Sequence, residues 1–212
     1  MHRHRLPTMI GITALGIALL APVAHAAAPP ATKADAEAAH LATTVCSNCH
    51  GPGGDSVSPL FPKLAAQQPA YLAAQIRAFK TRTARGEPEA HQYMHGMAAL
   101  VDDATIDALA RYFSRQKPPA GRGGDPALIE KGRALYLQGS SDHRVVPCAS
   151  CHGENATGNG PIPRLAGQHS AYVVHQLDVI QKQQRKAPVM YGIVHDLTPQ
   201  EIRQVAAYVQ SL

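Results

Sequence analysis

The sequence predicts an all-α protein of two tandem domains. Three observations lead there: an internal repeat that covers most of the chain, apolar residues at helical spacing in both copies, and a Pro/Gly-rich break between them. Cys46-Ser47-Asn48-Cys49-His50-Gly51 returns as Cys148-Ala149-Ser150-Cys151-His152-Gly153, and Pro62-Lys63-Leu64-Ala65 returns as Pro163-Arg164-Leu165-Ala166. Gln67 recurs as Gln168, Ala70-Tyr71 as Ala171-Tyr172, and Ile106, Ala110 and Tyr112 as Ile202, Ala206 and Tyr208.

The elements follow in order. Helices are expected from Ala34 to Val45 and from Asp125 to Leu137 at the head of each copy. Middle helices carry Tyr71, Leu72, Gln75, Ile76 and Phe79 in the first copy and Tyr172, Val173, Gln176, Leu177 and Ile180 in the second, both at helical spacing. Asp102 and Thr198 suit the N-caps of the last helices, which run to about Gln116 and Leu212; Pro199 takes the first helical position and Glu201 completes a capping box. Lys117-Pro118-Pro119-Ala120-Gly121-Arg122-Gly123-Gly124 cannot continue a helix and has little to bury, so it reads as a linker.

The N-terminus reads as an export signal. His2, Arg3, His4 and Arg5 are basic, Met9 to Leu20 is a short apolar run, and Ala24-His25-Ala26 fits a small-residue cleavage site. The run is shorter than the roughly 20 residues that span a bilayer. The expected division is 1–26 signal peptide, removed on export to the periplasm; 27–117 first domain; 118–124 linker; and 125–212 second domain. Without Arg3 and Arg5 the formal charge of +5 falls to +3, with 18 basic against 15 acidic residues. The basic residues divide evenly about Gly121, which excludes the one-sided basic surface of a nucleic-acid binder. The chain has no tryptophan and few aromatic residues, so two cores of this size need another filler.

The four cysteines all fall in C-x-x-C-H, the pattern of c-type haem attachment. Two thiols three positions apart on a helical turn can each bond a vinyl-derived carbon of one porphyrin, and the next residue then lies under the iron. Cys46, Cys49, Cys148 and Cys151 are therefore the expected covalent anchors of two haem c groups, with His50 and His152 as proximal ligands. Structural zinc wants a closer spacing of the two pairs, and a thioredoxin-like pair wants a βαβ context that is not evident here. Plain disulfides remain open but leave both histidines unexplained.

Electron carriage needs a second axial ligand, commonly a methionine sulfur. Met190 is the single methionine of the second half, and Met190-Tyr191-Gly192-Ile193 matches Met94-His95-Gly96-Met97. Met94 and Met190 are thus the expected sixth ligands, and Met97 a packing residue. His91, His95 and His195 compete in principle but have no counterparts at equivalent positions. His40, His143, His169 and His175 are assigned to the surface. Each proximal histidine needs an acceptor for its other ring nitrogen, and the carbonyls of Pro62 and Pro163 are the best placed in sequence. Tyr71 and Tyr172 are expected to be core residues or to reach a propionate or the domain interface.

Taken together, these residues make the whole mature chain resemble the dihaem cytochrome c4 family. The resemblance rests on both C-x-x-C-H motifs, the Pro-Lys-Leu-Ala and Pro-Arg-Leu-Ala loops, the tyrosine helices after them, the Met-x-Gly segments, and the terminal helices with Ala-Arg-Tyr-Phe and Ala-Ala-Tyr-Val. It implies two cytochrome-c-like α domains about an approximate two-fold axis, and His50/Met94 and His152/Met190 ligation. It also implies single-electron transfer from a respiratory donor toward a terminal oxidase or reductase, with loose membrane association in some members and no small-molecule substrate. The segment Gln183-Gln184-Arg185-Lys186-Ala187-Pro188 before Met190 is shorter than its partner. Two other roles share these ligands or part of them: a haem subunit of a larger dehydrogenase, and a dihaem redox enzyme with one open iron site, such as a peroxidase or a thiosulfate-oxidising protein.

Overall fold

The computed structural model describes residues 32–81, 89–140 and 145–212. The expected export segment of 1–26 and His143 lie outside the described residues, as does the side chain of His91. The first half holds α1 (Lys33–Leu41), α2 (Ser47–His50), α3 (Pro69–Thr81), α4 (Glu89–Ala99) and α5 (Asp103–Ser114). The second holds α6 (Pro126–Gln138), α7 (Ala149–His152), α8 (Ser170–Gln181), α9 (Pro188–Val194) and α10 (Pro199–Ser211). Among the described residues the only β pairing is two isolated bridges, Ser140 with Val145 and Asn159 with Ile162, and no helix is long and apolar enough to cross a membrane.

Both halves are assembled alike. The opening helix crosses the closing one, α1 on α5 and α6 on α10, and the middle helix packs on the closing helix, α3 on α5 and α8 on α10. Gly132 permits the second crossing, because a Cβ there would run into the carbonyl oxygen of Gln204 and the side chain of Tyr208. The closing helices start where their caps dictate: Asp102 accepts from the Thr105 N–H, and Thr198 and Glu201 form a reciprocal capping box. Each also ends two or one residues short of expectation, at Ser114 and Ser211.

The opening helix of the first half is not a uniform α-helix. After Leu41 it widens to a π-helical stretch, Ala42–Cys46, before α2. The hydroxyls of Thr43 and Thr44 bond back to the carbonyls of Ala39 and His40, Ser47 Oγ to Thr43 O, and Asn48 Nδ2 to Thr44 O. Side chains that compete for helical carbonyls loosen the regular ladder, which is why the periodicity alone suggested one continuous helix.

The cores differ in filling. Among the described residues the first core comprises nine buried apolar side chains, five of them alanine, with Ile106, Leu109, Leu72 and Phe113 as the larger ones. The second contains Tyr136, Tyr208, Ile180, Ile202, Val173, Val205 and Val209, with Tyr136 fully buried and its hydroxyl donating to Gly153 O at 2.7 Å. A core of alanines leaves room for a large apolar body.

The linker is docked rather than loose. Arg122 N–H donates to Gln210 O at 2.8 Å, Gly121 lies against the backbone of Ser211 and Leu212, and buried Pro119 lies against Gly167. Composition alone suggested that this segment buries little; Pro119 in fact supplies rigid apolar surface against Gly167 of the second domain, while Pro118 is exposed.

Candidate functional site

Each C-x-x-C-H segment forms one short helical turn that ends on its histidine. Gly51 and Gly153 follow at φ +76° and +79°, in the left-handed region that glycine tolerates, and a Cβ at Gly51 would strike Asp55 O. The chain therefore turns sharply, and the following loop returns beneath the imidazole. His50 Nδ1 lies 2.9 Å from Pro62 O, and His152 Nδ1 lies 2.9 Å from Pro163 O. A carbonyl oxygen only accepts, so Nδ1 carries the proton in both rings and Nε2 keeps its lone pair. Both rings are buried, 8% and 5% exposed. Burial pushes their pKa down, against the pull of the proline carbonyl bond, and so favours the neutral imidazole that a metal ligand must be.

The loops are held in place by the same bonds twice over. Leu64 and Ala65 N–H groups donate to Gly54 O, and Leu165 and Ala166 N–H groups to Ala156 O. Ala66 N–H then reaches Phe113 O on α5, and Gly167 N–H reaches Val209 O on α10. Lys63 and Arg164, which are repeat partners, differ in charge environment. Lys63 pairs with Asp55 at 3.0 Å, whereas the buried Nε of Arg164 has no hydrogen-bond partner among the described residues.

The four cysteines are unbridged. Cys46 and Cys148 are partly buried, and Cys49 and Cys151 are exposed. Burial pushes the Cys46 thiol up, and the Cys148 thiol up to about 11. A thioether at these positions carries no charge to desolvate. These residues fit a haem c in each half, with an imidazole whose Nε2 is free and two thiols on one turn; the first half adds an alanine-rich core and the second a guanidinium nitrogen in need of an acceptor.

Met94 lies on α4 and Met190 on α9, both half-buried, and each helix packs on the middle helix of its own half. Lys80 Nζ donates to Val101 O at 2.6 Å, and Gln181 Nε2 to Leu197 O at 2.8 Å, so the far end of each methionine segment is pinned by the last turn of the middle helix. Met97, expected to pack, is 47% exposed; it stands one turn along α4 beside buried Ala98. His95 commits Nδ1 to Phe79 O at 2.7 Å, and exposed His195 commits Nδ1 to Tyr191 O and lies 3.1 Å from Asp196.

Sequence reasoning offered the domain interface as one destination of Tyr71 and Tyr172 but missed the glutamine and histidine contacts that join the halves. Gln67 Nε2 donates to Arg164 O at 2.9 Å while its Oε1 accepts from Arg164 N–H at 2.7 Å; Gln168 does the same with Lys63, at 3.0 Å for both bonds. Gln68 Nε2 donates to Thr157 O at 2.9 Å. His169, assigned to the surface from sequence, is only 3% exposed, with Nε2 2.9 Å from Ser56 O. It sits where Gln68 sits in the first half, on a domain face rather than a solvent face. His40 and His175 are exposed. Arg185 donates to Tyr71 Oη at 3.0 Å and to Gln75 Oε1 at 3.2 Å, which places Tyr71 at the boundary. The signal that could have revealed this surface was in the repeat: Gln67 recurs as Gln168, and inside its own domain each side chain only accepts from the N–H of the residue after it.

Comparison with known proteins agrees with this geometry. The cytochrome c family model matches residues 36–117 and again 129–212. Cytochrome c4 of Azotobacter vinelandii is 37% identical over 213 residues, covering 96% of this chain and 94% of the relative. A thiosulfate dehydrogenase electron acceptor from Thiomonas intermedia (strain K12) is 34% identical, covering 82% of this chain and 75% of that one. The crystal structure of reduced recombinant cytochrome c4 from Pseudomonas stutzeri is 34% identical with a TM-score of 0.75, covering 85% of this chain and 98% of that chain. Two cytochrome c domains, two haem c groups and a role in electron transfer rather than catalysis follow, and the chain belongs to the dihaem cytochrome c4 family.

Proposed function

We propose that the protein is an exported, periplasmic carrier that takes single electrons from a respiratory donor and passes them toward a terminal oxidase or reductase. His50 and Met94 hold one iron and His152 and Met190 the other, with Cys46, Cys49, Cys148 and Cys151 as the covalent anchors and Pro62 and Pro163 orienting the imidazoles. The first domain occupies 27–117, the linker 118–124 and the second domain 125–212, after a signal peptide of 1–26. The observation that carries this reading is the duplicated imidazole geometry, in which each proline carbonyl holds Nδ1 and leaves Nε2 for a metal. A haem c supplies a one-electron Fe(III)/Fe(II) couple. The chain's own residues orient the ligand ring, exclude water behind it and fix the two domains to one another.

A second reading is favoured by the similarity to the thiosulfate dehydrogenase electron acceptor: the chain serves one dehydrogenase as its dedicated electron acceptor. One experiment separates the two. The reduced holoprotein is mixed under air with washed membranes containing a terminal oxidase, and the oxidised holoprotein with thiosulfate and a thiosulfate dehydrogenase. Rapid oxidation by the membranes supports the respiratory carrier. Reduction in the second mixture without oxidation in the first supports the dedicated acceptor, and inertness in both overturns the proposal.

A further inference from the structure

Arg185 lies in the short segment before Met190, and its side chain is partly buried at the boundary between the domains. Its hydrogen bonds all end on uncharged oxygens: Gln176 Oε1 on α8, and Tyr71 Oη and Gln75 Oε1 on α3 of the other half. Tyr172, the repeat partner of Tyr71, is close enough to both Tyr71 and Arg185 for each to act on its ionisation. Among the described residues no carboxylate meets this guanidinium, whereas Arg111 pairs with Asp35 and Arg77 with Asp107.

A partly buried cation without an anion is costly, and the cost is tolerated when a bound group supplies the charge. The fork also spans the two middle helices, α3 and α8, each of which packs on its own methionine-bearing helix, α4 or α9. It therefore stands where the walls of both haem sites meet. A haem's polar edge carries two carboxylates, and a planar guanidinium matches a carboxylate in both charge and shape. We propose that Arg185, steadied by Tyr71, Gln75 and Gln176, is the cationic seat of a haem propionate at the domain boundary, and that its charge raises the reduction potential of that haem.

The proposal rests on the chain carrying two haem c groups and is independent of which partners it serves. A cation beside a haem favours the reduced form, so its removal lowers the potential. In spectroelectrochemical titration of the holoprotein, Arg185→Gln is expected to lower the reduction equilibrium constant of at least one haem about tenfold, 59 mV for one electron. Arg185→Lys keeps the charge and loses the fork, and is expected to restore most of that shift. A mere staple between α3 and α8 would move the two variants alike. Unchanged potentials in Arg185→Gln, or an equal fall in Arg185→Lys, overturn the proposal. Should Arg185→Gln not accumulate with haem, Arg185→Met carries the same expectation. Carbon monoxide added to each reduced variant reports ligand loss separately, because a potential shift without gas binding leaves both irons' ligation intact.

Discussion

Gln67 and Gln168 are repeat partners that reach across the domain boundary in opposite directions, each closing two hydrogen bonds on the backbone of the residue that precedes the other half's Leu-Ala pair. Those residues, Lys63 and Arg164, directly follow Pro62 and Pro163, whose carbonyls hold the two imidazoles. The contact between the domains and the orientation of both histidines are thus separated by one peptide unit. An approximate two-fold relation between the halves falls out of this reciprocity.

Gln168→Ala strips partners from the buried N–H and C=O of Lys63, and an unsatisfied buried group costs about 1–3 kcal/mol. We expect a loss of that size in the denaturation free energy of the holoprotein, and a similar loss for Gln67→Ala. The double variant tests whether they act as one unit: losses that are less than additive show coupling through the shared boundary.

His169 makes the boundary sensitive to acid. Burial lowers its pKa below the ordinary 6.5, the Ser56 carbonyl opposes this, Lys63 and Arg122 push it down further, and Asp55 pulls it up. The unfolded chain therefore takes up the proton first as pH falls. The stability contributed by His169 is present above about pH 6.5 and is lost as pH falls through the lower folded value. His169→Gln is expected to show a smaller drop in denaturation midpoint between pH 7 and pH 5 than the wild type. Equal drops would remove His169 from the account.

Gly132→Ala places a methyl group against the carbonyl of Gln204 where α6 crosses α10. Overpacking of this kind costs about 1–3 kcal/mol, so thermal unfolding of the second domain should fall by several degrees. An unchanged melting temperature would mean that the crossing tolerates a wider separation than its geometry indicates.

The opening, middle and closing helices, the caps of the closing ones and both C-x-x-C-H segments were legible in the sequence because each is specified locally, whereas α4 and α9, which carry Met94 and Met190, were not expected as helices. Thr198 and Glu201 are three residues apart, and C-x-x-C-H is one helical turn. The domain boundary was not, because Gln67 and Gln168 bond backbone groups 97 and 105 residues away, and a backbone group carries no signature of its partner. His169 was misplaced for the same reason. The π-helical stretch of Ala42–Cys46 was hidden because its cause is side-chain competition for carbonyls rather than a change in apolar spacing.

The central claim is that each half closes its iron between one histidine and one methionine, and the measurement that meets it most directly is carbon monoxide titration of the fully reduced protein and its Met94→Ala and Met190→Ala variants. The account predicts no binding to the wild type and one equivalent per chain to each variant, at the haem of the altered half. Binding to the unaltered protein, or no binding to a variant that retains both haem groups, would contradict it.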